Sequence, residues 1–550
     1  MAERYDWAVS HLLVLLRGSK MKKYVASRRS FLKSVAGALG TGVALSACGN
    51  DSEERSSSTG PGGGEPKRGD TLQVASTASI ISLDPHRVEG VAVAPYLYSY
   101  VVHDTDWQGV AGDLAVSWET PEETRWIFHL REDVVFQNTP PVNGRPLVAA
   151  DVVKSIDRAR SQPTASESWK VWVQRYDAPD PATFTLETAV PYAYLLSLLG
   201  SPISAVVAME AVDEFGDLLN HTAGSGPYAV KDYSRDKGLE MVRNDTYYHD
   251  FPYLEGVGVR VLPDDASIQA AYRAGIVDLY STANKLKAEA VQGVGGTSIY
   301  NYLDRTYACI RLNANKQLAF KDDRVREAID ISLDRRAMIE KLHFGDAQLA
   351  GPVPPAWDTA LPQEEVETAY TRDVAKARQL LAAANAEDLS IPISIGSNGD
   401  MPDQAAVIKE SLKESGIEVN IVATELGSWL SNMLLGNFEM TVFSHLKFMS
   451  DEIPLQSHHS LGSSRAQRDY LGVDDPEVDA ILDKAQRTID NEERKKLAWE
   501  AERLILKRHG PTLHLYQPNG YLCIHDYVKG YKPSAFGLGM FKYDYWIDKS

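Results

Sequence analysis

Side chains able to bind metals or anions cluster near position 450 of this 550-residue chain. His445, His458 and His459 supply imidazoles, which are common ligands of transition metals. A metal site needs several ligands converging in a defined geometry, and adjacent histidines usually point in different directions, so no metal is predicted. Arg468 can bind a carboxylate through two parallel hydrogen bonds, and pairing with the aspartates of segment 469–475 is the alternative.

Two aromatic residues are further candidates for the wall of a binding site. Trp429 follows a predicted strand at residues 419–423, and Tyr516 lies on a predicted strand at residues 513–518. Large rings in such places are equally typical of packing within a protein core. Both residues are therefore predicted ligand contacts with core packing as the open alternative.

Sequence motifs of the common enzyme classes are missing from the chain. It contains no Gly-rich phosphate loop ending in Lys-Ser/Thr, no G-x-G-x-x-G, no G-x-S-x-G, no H-E-x-x-H and no C-x-x-C. The formal net charge of -18 also argues against nucleic acid, because phosphate binding needs clustered cations. The sequence thus predicts neither catalysis nor a cofactor.

An export signal is predicted at the N-terminus. Arg28 and Arg29 form a twin-arginine pair, and residues 35–47 form a short apolar run. This run is shorter than the roughly 20 residues that a membrane-spanning helix needs. It ends in Leu-Ser-Ala before Cys48, which resembles a lipobox whose cysteine is diacylated and becomes the mature N-terminus.

The segments around Cys48 have different predicted roles. Residues 1–47 are predicted to be the signal peptide. Met21 is a more natural start for this peptide than Met1, so residues 1–20 are expected to result from a wrongly assigned start. Residues 48–68 are Gly-, Ser- and charge-rich with almost no apolar side chains, which predicts a flexible tether. Together they predict a protein held by lipid outside the cytoplasmic membrane.

The remaining sequence predicts an α/β protein of two or three lobes. Strand-like alternation begins at Thr71, and amphipathic helices start at Asp322, Asp475 and Asn491. A chain this long exceeds one ordinary core. Cys309 and Cys523 are expected to be two buried thiols, with a disulfide between them as the alternative.

Several separated segments resemble the family 5 extracytoplasmic solute-binding proteins, which serve peptide and nickel ABC importers. The matching segments follow the family's order over about residues 69–550, and each is weak alone. They read LAVSWE (114–119), WIFHLR (126–131), DVVKS (151–155), GSGPY (224–228), RNDTYY (243–248), AGIVD (274–278), RVREAI (324–329) and DPEVD (475–479).

The resemblance implies a two-lobed fold of the type II periplasmic-binding-protein kind with an inserted subdomain. Lobe I is expected at residues 69–308, with the insertion at about 104–217, and lobe II at residues 309–512. Residues 513–550 would return to lobe I. The hinge strands are expected near 307–310 and 513–518, and closure of the lobes would bury the ligand.

The resemblance also implies one ligand contact. In peptide-binding relatives, an aspartate of the second lobe holds the ammonium group of the peptide. The corresponding stretch here is residues 445–454, in which Asp451 is the nearest aspartate, while the family's tryptophan and Asp-Pro pair are absent. Asp451 is therefore a predicted contact, a solvated acidic pair with Glu452 is the alternative, and peptide specificity is in doubt.

The function expected from the resemblance is the substrate-binding component of an ABC importer. The monomeric protein would capture a peptide-like or other small polar solute and deliver it to a permease in the cytoplasmic membrane, after export by the twin-arginine machinery. A ligand sensor on the same fold is one alternative. An exported hydrolase is another, for which the sequence offers no nucleophile with a base.

Overall fold

The computed structural model describes residues 65–104, 110–162, 167–250, 252–397, 400–445, 452–460, 472–531 and 543–550. The predicted signal peptide, with Arg28 and Arg29, and most of the predicted tether, with Cys48, lie outside these ranges. Asp451 and Arg468 lie outside them as well. Within the described ranges no helix combines the length and apolar character required to cross a bilayer.

The strands of the described residues are, in chain order, β1 (Thr71–Ser76), β2 (Val102–Asp104), β3 (Val110–Gly112), β4 (Ala115–Glu122), β5 (Arg125–Leu130), β6 (Val173–Asp180), β7 (Thr183–Thr188), β8 (Tyr228–Ser234), β9 (Gly238–Arg243), β10 (Gly256–Val261), β11 (Leu279–Thr282), β12 (Thr297–Leu303), β13 (Tyr307–Leu312), β14 (Ala347–Leu349), β15 (Ser390–Gly396), β16 (Glu418–Thr424), β17 (Met440–His445), β18 (Thr512–His525), β19 (Val528–Lys529) and β20 (Trp546–Ile547).

The α-helices of the same ranges are α1 (Ala94–Leu97), α2 (Ala149–Ser161), α3 (Glu167–Val171), α4 (Leu195–Leu199), α5 (Met209–Phe215), α6 (Asp265–Arg273), α7 (Lys285–Glu289), α8 (Asp323–Ser332), α9 (Arg335–His343), α10 (Gln363–Ala369), α11 (Val374–Ala383), α12 (Met401–Lys413), α13 (Leu426–Leu434), α14 (Glu452–Gln456), α15 (Pro476–Arg487) and α16 (Asn491–Arg508). Short 3-10 helices lie at Val88–Gly90, Pro202–Ser204 and Leu318–Lys321.

Two four-stranded sheets surround the first hydrophobic core. One has the order β1-β10-β9-β8, with β1 parallel to β10, and the other is the antiparallel sheet β4-β5-β7-β6. The alternating pattern of β5 buries Trp126, Phe128 and Leu130 on one face, as expected for a sheet covered on one side. The second sheet lies within residues 104–217, where the inserted subdomain is predicted.

A second core forms along the part β13-β17-β15-β16 of the sheet β11-β18-β13-β17-β15-β16. Ala308, Ile310 and Leu312 of β13 point into this core, where α8, α11 and α12 also pack. α12, Gly416 and β16 form a helix-to-strand unit, in which β16 runs parallel to β15. This confirms the strand predicted at residues 419–423. Two cores in one mixed α/β chain agree with the fold class predicted from the sequence.

The 14-residue strand β18 belongs to both cores. Its first part pairs with β13, where Tyr516 lies opposite Ala308, and its last part pairs with β11 and β12, where Tyr521 lies opposite Thr282. We call the elements around the first core, with the smaller cluster of α6, α7, β11 and the end of β18, the first lobe. The second lobe comprises the elements around the second core, with the smaller cluster formed by residues 353–357, α14, α15 and α16, because Trp499 and Leu506 of α16 also pack on the second core. The chain crosses between the lobes within β18 and again between β12 and β13. The residue boundaries given above for the lobes stay predictions.

Cys309 and Cys523 are both buried and form no disulfide with each other. Cys309 lies on β13 in the second lobe, whereas Cys523 lies near the end of β18 in the first. Burial raises the pKa of Cys309 to about 11 and that of Cys523 to about 12. Both are therefore unreactive thiols at neutral pH, which confirms the first of the two alternatives.

Candidate functional site

Hydrogen bonds join the two chain crossings to each other. Gln517, a fully buried residue of β18, accepts a hydrogen bond from the main-chain N–H of Ala356 at 2.9 Å. The same side chain donates to the main-chain carbonyl of Asp304, in the segment between β12 and β13. The N–H of Asp304 donates in turn to the carbonyl of Pro518 at 3.3 Å. A change in the angle between the lobes therefore requires movement of these two segments, which hydrogen bonds hold together.

A buried cation lies beside this pair of segments. Arg305 is only 4% exposed, and its guanidinium lies 5.4 Å from the centroid of the Trp357 ring. Such a contact between a cation and an aromatic face is favourable, more so when water is excluded. The ring of Trp357 belongs to the second lobe, so the crossing segment packs directly against that lobe.

The carboxyl ends of three parallel strands meet at one edge of the second-lobe sheet. β15 is parallel to both β16 and β17, so Gly396, Thr424 and His445 end at the same edge. His445 also pairs with Tyr307, the first residue of β13 after the crossing. In open α/β sheets, ligands bind in the crevice outside the carboxyl ends of the strands. His445 is the last residue of β17 at this edge.

The predicted histidine cluster divides into separate contacts. His458 and His514 face each other with 2.8 Å between their Nε2 atoms, and the ring of Tyr307 stacks on His514. Burial, and then the Arg311 guanidinium, lowers the pKa of His458 to about 3, and burial also lowers that of His514. Both rings are thus neutral at physiological pH, one donating and the other accepting.

His459 points elsewhere, as expected for adjacent histidines. Its ring nitrogens lie 3.7 Å from Asp479 and 3.4 Å from Asp483, both on α15. His445 is described only through its strand. Within the described ranges no group of three or more His, Cys, Asp or Glu residues is arranged to hold a metal ion.

The two predicted aromatic contacts both have packing roles in the second lobe. Trp429, on α13, is 5% exposed, and its indole N–H donates to the hydroxyl of Thr441 at 3.1 Å. Tyr516 is 1% exposed, accepts from the side-chain amide of Gln404 at 2.8 Å and contacts the ring of His343. A ligand contact for either residue stays a prediction.

The family can now be decided by comparison with known proteins. The model of bacterial extracellular solute-binding proteins, family 5 middle, matches residues 109–463, which is more than half of the chain. The chain belongs to this family. Family 5 is a family of extracytoplasmic binding proteins, so membership supports binding rather than catalysis.

Individual relatives of this family 5 protein are distant but span most of its length. Heme-binding protein A of Haemophilus influenzae is 25% identical over 461 residues, 78% of this chain and 82% of the relative. The probable D,D-dipeptide-binding periplasmic protein DdpA of Escherichia coli is 24% identical over 492 residues, 84% of this chain and 91% of the relative.

A solved structure shows the fold of the family 5 protein. The periplasmic binding protein DppA of Helicobacter pylori, in complex with the peptide STSA, superposes with a TM-score of 0.76 at 23% identity, covering 88% of this chain and 99% of that one. The two-lobed type II periplasmic-binding-protein fold predicted from the sequence is therefore confirmed.

Sequence reasoning missed the residues that join the lobes. Gln517 lies in the region of the predicted hinge, but nothing in its local sequence marks it as the residue that joins both crossings. Its partners Ala356 and Asp304 lie 161 and 213 positions away. Arg305 and Trp357 were missed for the same reason, because contacts of such separation carry no local periodic signal.

Proposed function

We propose that this family 5 protein is the substrate-binding component of an ABC importer. It captures a peptide-like or other small polar solute outside the cytoplasmic membrane and delivers it unchanged to a permease. The observation that carries this proposal is the pair of lobes with separate cores, joined at two hydrogen-bonded crossings. Such an arrangement binds by closing, because contacts from both lobes to one solute favour the closed state.

The names of relatives describe solutes of several chemical classes, among which peptides recur. They describe binding of heme, D,D-dipeptides and oligopeptides, and a similar structure, at 21% identity and a TM-score of 0.75, holds agropinic acid. We place the solute outside the edge at which β15, β16 and β17 end, in contact with Asp451, His445 and Arg468. Enclosure between lobes with a few polar contacts is typical of such sites.

Export and anchoring are part of the same proposal. The twin-arginine pair Arg28–Arg29 directs export of the folded chain, and Cys48 carries the lipid that holds the mature protein at the outer side of the membrane. A diacylated cysteine gives stable attachment, whereas a single acyl chain is marginal. Mass spectrometry of the N-terminal peptide after expression in bacteria tests this, since Cys48→Ala is expected to abolish both lipid addition and membrane retention.

The binding role is tested with a panel of solutes. Dipeptides, longer peptides, opines and heme are added singly to the purified chain, and the unfolding temperature is measured. A solute that binds only the folded state raises this temperature in proportion to the logarithm of its concentration. We expect one solute class to do so, with a loss of the shift in Asp451→Ala. Retention of the shift in this variant would remove Asp451 from the site.

A further inference from the structure

Three consecutive residues of the inserted subdomain contact the second lobe. Tyr192, Ala193 and Tyr194 follow β7 and belong by packing to the first core. Their partners lie 260 to 300 positions later, on α14, α15 and α16. None of these residues belongs to the two chain crossings, so their contacts are not part of the covalent connection between the lobes.

The first contact is made by the phenol of Tyr192. Its hydroxyl lies 2.8 and 2.9 Å from the two carboxylate oxygens of Glu452, the first residue of α14. The ring is fully buried and stacks on Trp172, with centroids 4.8 Å apart and an angle of 4° between the planes. Hydrogen bonds to a carboxylate are among the stronger ones, and a stacked ring loses little freedom in making this one.

The second contact joins Ala193 to Gln486 in the last turn of α15. The carbonyls of a last helical turn have no partner within the helix. The N–H of Ala193 donates to the carbonyl of Gln486 at 2.8 Å and supplies such a partner. The side-chain amide of Gln486 donates to Glu452 at 3.1 Å, so this residue, 7% exposed, supports the first contact as well.

The third contact places Arg494 over Tyr194. The guanidinium lies 5.3 Å from the ring centroid. Two main-chain carbonyls at the start of the preceding loop, those of Thr488 and Ile489, accept hydrogen bonds from the same guanidinium at 3.0 and 3.2 Å. Arg494 is thus held in place by its own lobe and presents its charge to a ring of the other lobe.

We infer that the contacts of Tyr192, Ala193 and Tyr194 with Glu452, Gln486 and Arg494 form a closure latch, which stabilises the closed arrangement of the lobes. The existence of the latch does not depend on the proposed function, whereas its effect on solute affinity does. Since it favours the closed state by the same amount whichever solute is enclosed, it raises the affinity for all solutes by one factor.

The latch is tested by hydrogen exchange of the full chain with no solute added. The main-chain amide of Ala193 is protected only while the latch is formed. Tyr192→Phe keeps the stacked ring and removes the hydroxyl that binds Glu452. We expect exchange at Ala193 to become about ten-fold faster, the factor expected for loss of one hydrogen bond to a charged group. Gln486→Ala is expected to act in the same direction.

A matched control removes a similar hydroxyl within one lobe. Tyr280 donates to Asp265, and both residues belong to the first lobe. Tyr280→Phe is expected to leave exchange at Ala193 unchanged. The inference is overturned if Tyr192→Phe has no larger effect at Ala193 than this control, or if it accelerates the amides of β5 equally, which would indicate general destabilisation. Neither result depends on whether the protein binds a solute.

Discussion

The side-chain amide of Gln517 donates to the main-chain carbonyl of Asp304, which joins the two places where the chain passes between the lobes. Gln517 also accepts from the N–H of Ala356. Gln517→Ala removes both of these buried hydrogen bonds to the main chain. We expect a loss of about 1–3 kcal/mol in the free energy of unfolding, measured in urea.

The control for this variant is Gln269→Ala on the surface of the first lobe, where one exposed bond to Lys287 is lost. Its expected effect is below about 0.5 kcal/mol. Equal losses in the two variants would contradict a special role for Gln517.

A buried ion pair in the first lobe gives a second prediction. The guanidinium of Arg158 binds both carboxylate oxygens of Asp84, at 2.8 and 2.5 Å, and both residues are buried. Arg158→Met leaves a buried carboxylate uncompensated, which is expected to cost about 3–5 kcal/mol in urea unfolding at pH 7. The exposed pair of Arg503 with Glu365 is the control, and Glu365→Gln is expected to cost less than about 1 kcal/mol.

The histidine beside this pair predicts a dependence of stability on pH. His86 lies between Arg158, which donates to Nδ1 at 2.8 Å, and the carbonyl of Ala205, which Nε2 reaches at 2.8 Å. Burial, and then the Arg158 charge, lowers the pKa of His86 from 6.5 to about 4. Between these values the unfolded chain binds more protons than the folded one, so stability falls as the pH drops from 6.5 to 4.

The contribution of His86 to this loss is roughly 3 kcal/mol once the pH is below 4. The measured quantity is the slope of the unfolding free energy against pH between pH 4 and 6.5. His86→Gln is expected to reduce this slope by the amount that corresponds to about one bound proton. A slope that the substitution leaves unchanged would contradict a buried neutral imidazole at this position.

Packing and ligand contact can be separated at Tyr516. Tyr516→Phe keeps the ring against His343 and removes the acceptor for Gln404. If the residue acts only through packing, the free energy of unfolding falls by about 1 kcal/mol while solute affinity is unchanged. A ten-fold loss of affinity, measured by titration calorimetry, would instead show that the hydroxyl contacts the solute.

Local signals in the sequence were sufficient for many helix starts. Asp322 and Asp475 were predicted as helix starts, and in the structure each side chain accepts from a main-chain N–H of the first turn. Pro476 occupies the first helical position after Asp475, where its fixed φ suits the helix. Such contacts join residues two or three positions apart, so composition and spacing are enough to identify them.

One glycine pair is required by a close approach of the chain. Neither Gly224 nor Gly226 has a positive φ. Instead, the main chain of Leu97 passes close to both glycines. A Cβ on Gly224 would lie 2.0 Å from the carbonyl oxygen of Leu97, and a Cβ on Gly226 would lie 2.5 Å from the carbonyl carbon of Leu97. Glycine is required here by a neighbour more than 120 positions away, which the local sequence does not reveal.

Long-range contacts also determine the role of one arginine. Arg324 pairs with Asp322 at the surface, whereas Arg326 is buried and donates to the main-chain carbonyls of Phe320, Lys321 and His509. The candidate site shows the same difference between local and long-range signals. Family resemblance identified the stretch 445–454, which begins where β17 ends. The contacts of Tyr192, Gln486 and Gln517 depend on tertiary pairing alone and had no local signal.

Native mass spectrometry of the full chain, purified without unfolding, tests the central claim most directly. The account predicts a species heavier than the chain by one small solute, which is released intact when the protein is unfolded and restores the same mass when added back. A chain that shows only its own mass, and to which no peptide, opine or heme adds, would contradict capture of a solute between the lobes. Recovery of a chemically altered solute would also contradict it.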